Sequence, residues 1–309
     1  MFRRQAAYCD GRSPLYARLC RRLAEDDRVA ALAPDLRWDF PLRLLGAVHY
    51  LVLGGEASWD DVDRALDERA EFLARFAAEQ PVQTNEVARA WALLPGLLAL
   101  GAAEVDLVEL GASAGLLLCL DRYGYRYRSG SWGSGRPRLA GRDRGGPPGS
   151  LLRRELSIGR RRGVDVAPVD VTTAEAARLL EAFVWPDQTE RLRRLREAVA
   201  TARDDPPELV AGDYVDLLPS LLAERGDALT VVVSSVTTIY LSDERHAELV
   251  AALDRAGAEA PLAWLSLEGP RHGGQFDGAL LELTTWPGEE RRQLAQVDHH
   301  ARWLRWWEG

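Results

Sequence analysis

Residues 108–117 read VELGASAGLL, and two kinds of chemistry fit that spelling. Taken as G-x-S-x-G, Gly111 to Gly115 would form the elbow of a serine hydrolase, with Ser113 as nucleophile on a sharp turn between strand and helix. Taken as an acid followed by small residues after an apolar strand, Glu109, Gly111, Ser113 and Gly115 would let backbone approach a nucleotide-like cofactor closely. The hydrolase reading asks for more: an oxyanion loop upstream, and an acid and a histidine downstream. The hundred residues before Ser113 offer only His49, inside an apolar helix. The one HGG run, His272 to Gly274, comes far later, and Asp277 would have to serve as the acid of a Ser–Asp arrangement.

The cofactor reading draws on the ends of successive apolar segments. In an open α/β sheet, ligands bind outside the carboxyl ends of the strands, where the winding reverses. Asp165, in GVDVAP, is an acid that would accept hydrogen bonds from both hydroxyls of a ribose. Asp213 ends PELVAGD, where an adenine amino group would donate, and Ser234-Ser235 ends a β-branched run, facing the transfer region. Tyr240 and Glu268 follow the fourth and fifth apolar segments and mark a substrate pocket. Upstream, Gln83-Thr84-Asn85-Glu86 is a polar cluster before an apolar helix. It reads either as a helix cap or as a pair, Asn85 and Glu86, reaching over the site, with Glu86 acting as a base or binding a cationic group.

The elements that would position these residues change character near residue 104. Before it, apolar residues recur at helical spacing, as in SPLYARLCRRLAEDDRVAALA, which opens with a Ser13 cap and Pro14. After it, short apolar runs at 104–110, 163–171, 207–213, 228–237 and 261–269 alternate with helical stretches, the signature of a parallel sheet with crossover helices. The segment ALLELTTWPGEERRQLAQVD reads as two strands joined by a turn at Pro287-Gly288. The expected fold is therefore α/β: a helical N-terminal domain, 1–103, and a Rossmann-like, seven-stranded, mostly parallel sheet with a terminal antiparallel hairpin, 104–309. A Gly/Arg-rich insertion at about 128–162 interrupts the latter as a loop or small β-flap. His299-His300, with Trp303, Trp306 and Trp307, reads as an aromatic helix packed on the core.

Two resemblances follow from these motifs. VELGASAG, GVDVAP and VAGD resemble the first three motifs of class I S-adenosylmethionine-dependent methyltransferases. That resemblance implies S-adenosylmethionine as cofactor, held by Glu109, Gly111, Ser113, Gly115, Asp165 and Asp213, with Asn85, Glu86, Ser234 and Ser235 around the reacting atoms. The 54 positions from Gly111 to Asp165 exceed the roughly 20 of a compact dinucleotide-binding unit. The insertion accounts for the excess if it loops out. Across most of its length, through LLGAVHYLVL, PVQTNEVARAWALLPGL, LVELGASAGLLLCLDRYGYRY, RRGVDVAPVDV and FVWPDQTERLRRLREA, the chain resembles the bacterial domain of unknown function 2332 family. Where that resemblance would put His-Ser, this chain has Ser234-Ser235, so an imidazole is missing at that point.

Bulk properties bound the rest. The 309 residues are 47% apolar, enough for a sizeable core, and a net charge of −8 disfavours nonspecific binding to nucleic acid or anionic membrane. Residues 121–163 run against that trend, with twelve arginines and three acids; the chain has no lysine. The expected reading of this stretch is a solvated loop, with an anion-binding lid as its alternative. Three cysteines without C-x-x-C spacing argue against a disulfide framework, and the histidines and cysteines show no zinc spacing. With no long uncharged apolar run, the expectation is a cytoplasmic methyltransferase acting on a small molecule. A noncatalytic module that binds a nucleotide-like ligand or a partner on the same fold is the alternative, and a serine hydrolase using Ser113 is the third reading.

Overall fold

The computed structural model describes residues 1–32, 37–271 and 277–307. The HGG run at 272–274 lies outside the described residues. The chain divides into two compact units, 1–85 with 171–196, and 86–170 with 197–309. The division therefore falls at 85/86 rather than at the expected 103/104, and a later segment returns to the helical unit.

The helical unit contains α1 (Phe2–Cys9), α2 (Pro14–Leu23), α3 (Asp27–Ala31), α4 (Phe40–Leu53), α5 (Val62–Glu68) and α6 (Ala70–Glu79). Ser13 caps α2 as expected, its hydroxyl accepting the Tyr16 N–H at 3.2 Å. The apolar helix α4 is buried along most of its length and supplies Leu44, Leu45 and Leu51 to a core shared with Tyr16, Leu23, Leu66 and Leu73. Phe183 joins this core from the returning segment, and its ring lies against Gly46, where a Cβ would stand 2.9 Å from the ring edge.

The second unit begins with α7 (Arg89–Ala99), after which β1 (Glu104–Leu110) enters the sheet. In the insertion, β2 (Gly124–Tyr127), β3 (Gly130–Trp132) and β4 (Arg138–Ala140) form a separate three-stranded sheet, the β-flap, and β5 (Arg142–Asp143) follows. Next come β6 (Ser157–Asp165), α8 (Ala174–Ala182) and α9 (Thr189–Asp204), then β7 (Glu208–Ala211), α10 (Tyr214–Ala223), β8 (Leu229–Ser235) and α11 (Asp243–Glu259). The chain ends with β9 (Leu262–Glu268), β10 (Ala279–Trp286), β11 (Glu290–Val297) and β12 (Trp303–Trp306).

The main sheet runs β5-β12-β11-β10-β9-β8-β1-β6-β7, nine strands instead of the expected seven. The pairs β7-β6, β6-β1, β1-β8 and β8-β9 are parallel, and β9-β10 and β10-β11 are antiparallel, so the terminal hairpin is present. The two further strands are β12, antiparallel to β11, and β5, parallel to β12. The aromatic tail is thus a strand and not a helix. Its alternation lets Leu304 pair with Val297 and Trp306 with Ala295, where a helix would have left the edge of β11 unpaired.

After β1 the expected helix is a seven-residue 3₁₀ helix, Leu116–Arg122. Two tyrosines from the following strand explain the tighter winding: Tyr123 donates its hydroxyl to the Leu116 carbonyl at 2.6 Å, and Tyr125 donates to the Leu120 carbonyl at 2.5 Å. Those carbonyls are satisfied without an α-helical partner four residues on.

Candidate functional site at the carboxyl ends of β1 and β8

From β1 the chain winds outward through β6 and β7, then crosses back to β8 and winds through β9 on the other side. The direction reverses between β1 and β8, and a crevice outside their carboxyl ends is where such sheets bind ligands. A cavity of about 480 Å³ lined by Glu104, Asp106, Arg160 and Asp227 opens at the opposite, amino-terminal ends of these strands. It lies away from the reversal.

Glu109 stands at the end of β1, in register with Val233 of β8 and Gly163 of β6. It is 4% exposed, and Oε2 is enclosed without a hydrogen-bond partner among the described residues. Burial raises its carboxyl well above the usual range; the neighbouring Asp165 charge adds to this and the Arg89 guanidinium opposes it. A buried polar atom left unmatched costs about 1–3 kcal/mol.

The loop that follows is built from left-handed backbone, with φ of 67° at Gly111, 50° at Ser113 and 66° at Gly115. At Gly111 a Cβ would collide with the Thr237 side chain, and at Gly115 it would stand 2.6 Å from Pro207, so both positions need glycine on two grounds. The amides of Gly111 and Ala112 donate to the Val164 carbonyl at 2.8 and 3.0 Å, and that of Gly115 to the Ala112 carbonyl at 2.8 Å. Ser113 N–H donates to Asp165 Oδ2 at 2.8 Å, while Asp165 Oδ1 accepts from Ala167 N–H at 2.9 Å. Asp165 thus braces the loop, and these four loop amides are spent inside the protein; they leave no nest for a phosphate.

Arg89, in the first turn of α7, ties the other components together. Its Nε donates to the His299 carbonyl and its Nη1 to the Ser235 carbonyl, both at 2.9 Å. Ser235 is buried with its hydroxyl unpartnered among the described residues, and Ser234 is fully buried, its hydroxyl accepting Trp264 Nε1–H at 3.2 Å. Glu268, at the end of β9, accepts the Thr237 and Thr238 amides at 3.1 and 3.2 Å and so holds the loop after β8; desolvation raises its carboxyl and those amides offset part of the rise.

Glu86, also buried, accepts the Ala88 amide with Oε1 at 3.3 Å and faces His300 Nδ1 with Oε2 at 3.2 Å. The turn carrying His299 and His300 is fixed by Asp298, whose Oδ1 accepts the N–H of His300 at 2.9 Å and of Arg302 at 3.1 Å. Against the desolvation of its site, the Arg302 guanidinium and these amides hold Asp298 down to about 2. His299 Nδ1 is buried and has no hydrogen-bond partner among the described residues, and desolvation together with the Arg89 charge pushes its imidazole below the ordinary value.

The remaining expected residues lie elsewhere. Asp213 caps α10, accepting Val215 N–H at 2.8 Å, and pairs with Arg245 at 2.9 Å. Tyr240 is 73% exposed on the turn after β8, neither core nor enclosed pocket. Asn85 is the last residue of the helical unit's first segment and is half-buried. Three contributors went unread in the sequence: Arg89, His299 and His300. Arg89 had a visible signal, a charge one turn after Glu86 in a helix otherwise apolar; the histidines had none once their stretch read as helix. Among the described residues, no group of three or more His, Cys, Asp and Glu side chains is placed to hold a metal ion. No described helix is long and apolar enough to cross a membrane.

Fold and site together define an α/β protein with a polar, partly unsatisfied cluster at the point where its sheet reverses. The family model of the uncharacterized protein conserved in bacteria (DUF2332) matches residues 1–306, and the chain belongs to that family. No curated protein matches it.

Proposed function

We propose that this protein binds S-adenosylmethionine at the β1–β8 reversal and transfers its methyl group to a small molecule in the cytoplasm. The observation that carries the reading is Glu109, a buried carboxyl with an oxygen unpartnered among the described residues, beside a loop of which four amides are already spent. A phosphate-bearing cofactor would find no donors in those four amides, whereas a sulfonium nucleoside has no phosphate and carries the positive charge a carboxylate favours. Glu109 and the close-approach positions Gly111, Ser113 and Gly115 would hold the cofactor, with Asp165 and Asp213 shaping the loops around it. When bound, it supplies an electrophilic methyl group. The chain's own part is to exclude water, orient the acceptor near Ser234, Ser235 and Glu86, and manage its proton.

Calorimetric titration with S-adenosylhomocysteine tests this directly. Binding is expected, with thermal stabilisation of about 2.7 kcal/mol at 100 times the dissociation constant, and Glu109→Gln should weaken it at least tenfold. Absence of binding up to millimolar ligand would overturn the reading, and binding without turnover would favour the noncatalytic module.

One observation favours a second reading. Ser113 has φ of 50°, a left-handed conformation uncommon for serine and expected at the elbow of a G-x-S-x-G nucleophile. Labelling by a fluorophosphonate probe that disappears in Ser113→Ala would establish the hydrolase; an unlabelled wild type would exclude it.

A further inference from the structure

The Glu86–His300 pair has the form of a proton-accepting dyad. The Glu86 side chain is 3% exposed and the His300 side chain 36% exposed, with Oε2 and Nδ1 at 3.2 Å. A buried carboxylate can only accept, so Nδ1 carries the proton of the neutral ring and Nε2 holds a bare lone pair. Nε2 makes no hydrogen bond among the described residues. The dyad is also held rigidly. Asp298 fixes the turn through the His300 and Arg302 amides, and Arg89, one turn along the chain from Glu86, ties that same turn to the carboxyl end of β8.

We infer that His300 is the general base of this site and that Glu86 is its positioning residue, which revises the sequence reading of Glu86 as the base itself. The substrate class follows from proton affinity. Transfer of a proton to imidazole is least uphill from a phenol, a thiol or an ammonium group, whose proton affinities lie nearest its own, and these are the acceptors assigned. In the step, the substrate's O–H, S–H or N–H bond breaks and its electron pair stays on the substrate heteroatom. The proton goes to Nε2, giving an imidazolium stabilised by the Glu86 carboxylate, and then leaves to solvent from the partly exposed ring. The charged and titratable groups around His300 are Glu86 from the segment leading into α7, Arg89 on α7, and His299, Asp298 and Arg302 on its own turn. The base rests on the ligand reading above for its substrate, though not for its geometry.

Two measurements separate these. Long-range ¹H–¹⁵N spectra of the full chain, with His300 assigned through His300→Gln, should show the Nδ1–H tautomer and a bare Nε2. Glu86→Leu should shift the ring towards the Nε2–H tautomer, and diethylpyrocarbonate should modify His300 before His49. An Nε2–H tautomer in wild type, or a tautomer preference unmoved by Glu86→Leu, would overturn the dyad whether or not any cofactor binds. Wild type and His300→Gln are then compared in S-adenosylhomocysteine affinity, and in turnover of S-adenosylmethionine with a phenol, a thiol and an amine as probes. Equal affinity, turnover reduced about 100-fold or more at neutral pH, and recovery as alkaline pH ionises the probe would support the base. Where wild type binds S-adenosylhomocysteine, unchanged turnover in His300→Gln, or no wild-type turnover with any of the three probes, would overturn it. Loss of binding in both proteins would fell the ligand reading alone, with the tautomer still deciding the dyad.

Discussion

Glu109 gains its interest from being left unsatisfied. Its folded carboxyl titrates higher than in the unfolded chain, so the native state holds this proton more tightly. Stability is therefore lost as pH rises from the ordinary carboxylate range, about 4.3, through the folded value, at about 1.4 kcal/mol for each pH unit between the two. Urea midpoints of wild type should decline relative to Glu109→Gln across that window, and parallel curves would show that the carboxyl is solvated. His49 runs the other way. Burial lowers it to about 4, so the unfolded chain binds the extra proton and stability is lost as pH falls from about 6.5 towards 4. The loss amounts to about 3 kcal/mol, and His49→Phe should flatten the acid limb of the urea midpoint profile. The two windows overlap above about 4.3 with slopes of opposite sign, so each contribution is read from the difference between wild type and its own substitution.

At the scale of elements, α7 lies against the sheet through Gly96, where a Cβ would stand 2.6 Å from Leu265 Cδ1 of β9. Gly96→Val should cost about 1–3 kcal/mol by overpacking, read from chemical denaturation. It should also displace the helix that carries Arg89, loosening the His299 turn and reducing S-adenosylhomocysteine affinity. In the loop after β1, Ser113→Gly removes a left-handed side chain worth about 1–2 kcal/mol of strain and adds about 0.5–1 kcal/mol of chain entropy. A small gain in stability is expected, measured by thermal melting; a loss would mean that the Ser113 hydroxyl contributes more than the strain costs.

Much of this layer was legible in the sequence. Short apolar runs marked β1, β8 and β9, and two runs joined at Pro287-Gly288 marked the β10–β11 hairpin, because tertiary packing there agrees with local pattern. The signal failed where it was too short or too ambiguous: β5 is two residues long, and WLRW carries aromatic residues that suit either period. The same holds for the site. Glu86, Glu109, Ser235 and Glu268 stood out as polar residues at the ends of apolar runs, whereas His299 and His300 became neighbours of α7 only through a turn that Asp298 and the left-handed Ala301 create.

At the scale of the molecule, each unit has a core of its own, one around α4 and Phe183 and the other between the sheet and helices α10 and α11. Heat unfolding should depart from a single two-state transition, with a calorimetric enthalpy larger than the van't Hoff value; equality would show that the units melt as one. The arginines of residues 121–163 are in part structural, since Arg122, Arg136 and Arg161 pair with Asp205, Glu197 and Asp121, and Arg144 lies 4.2 Å from the Trp303 ring centroid. Those four are engaged within the fold rather than free for an anion.

The return of residues 171–196 to the helical unit sets an order on biosynthesis. A ribosome delivers α1 to α6 first, yet Phe183 and its neighbours, which complete that core, follow only after β1, the β-flap and β6 have been made. During that interval Leu44, Leu45 and Leu51 belong to an unfinished surface on the nascent chain. The helical unit, although first in sequence, cannot be the first to finish folding as a closed body, and chaperone contact during translation should concentrate on its exposed α4 face.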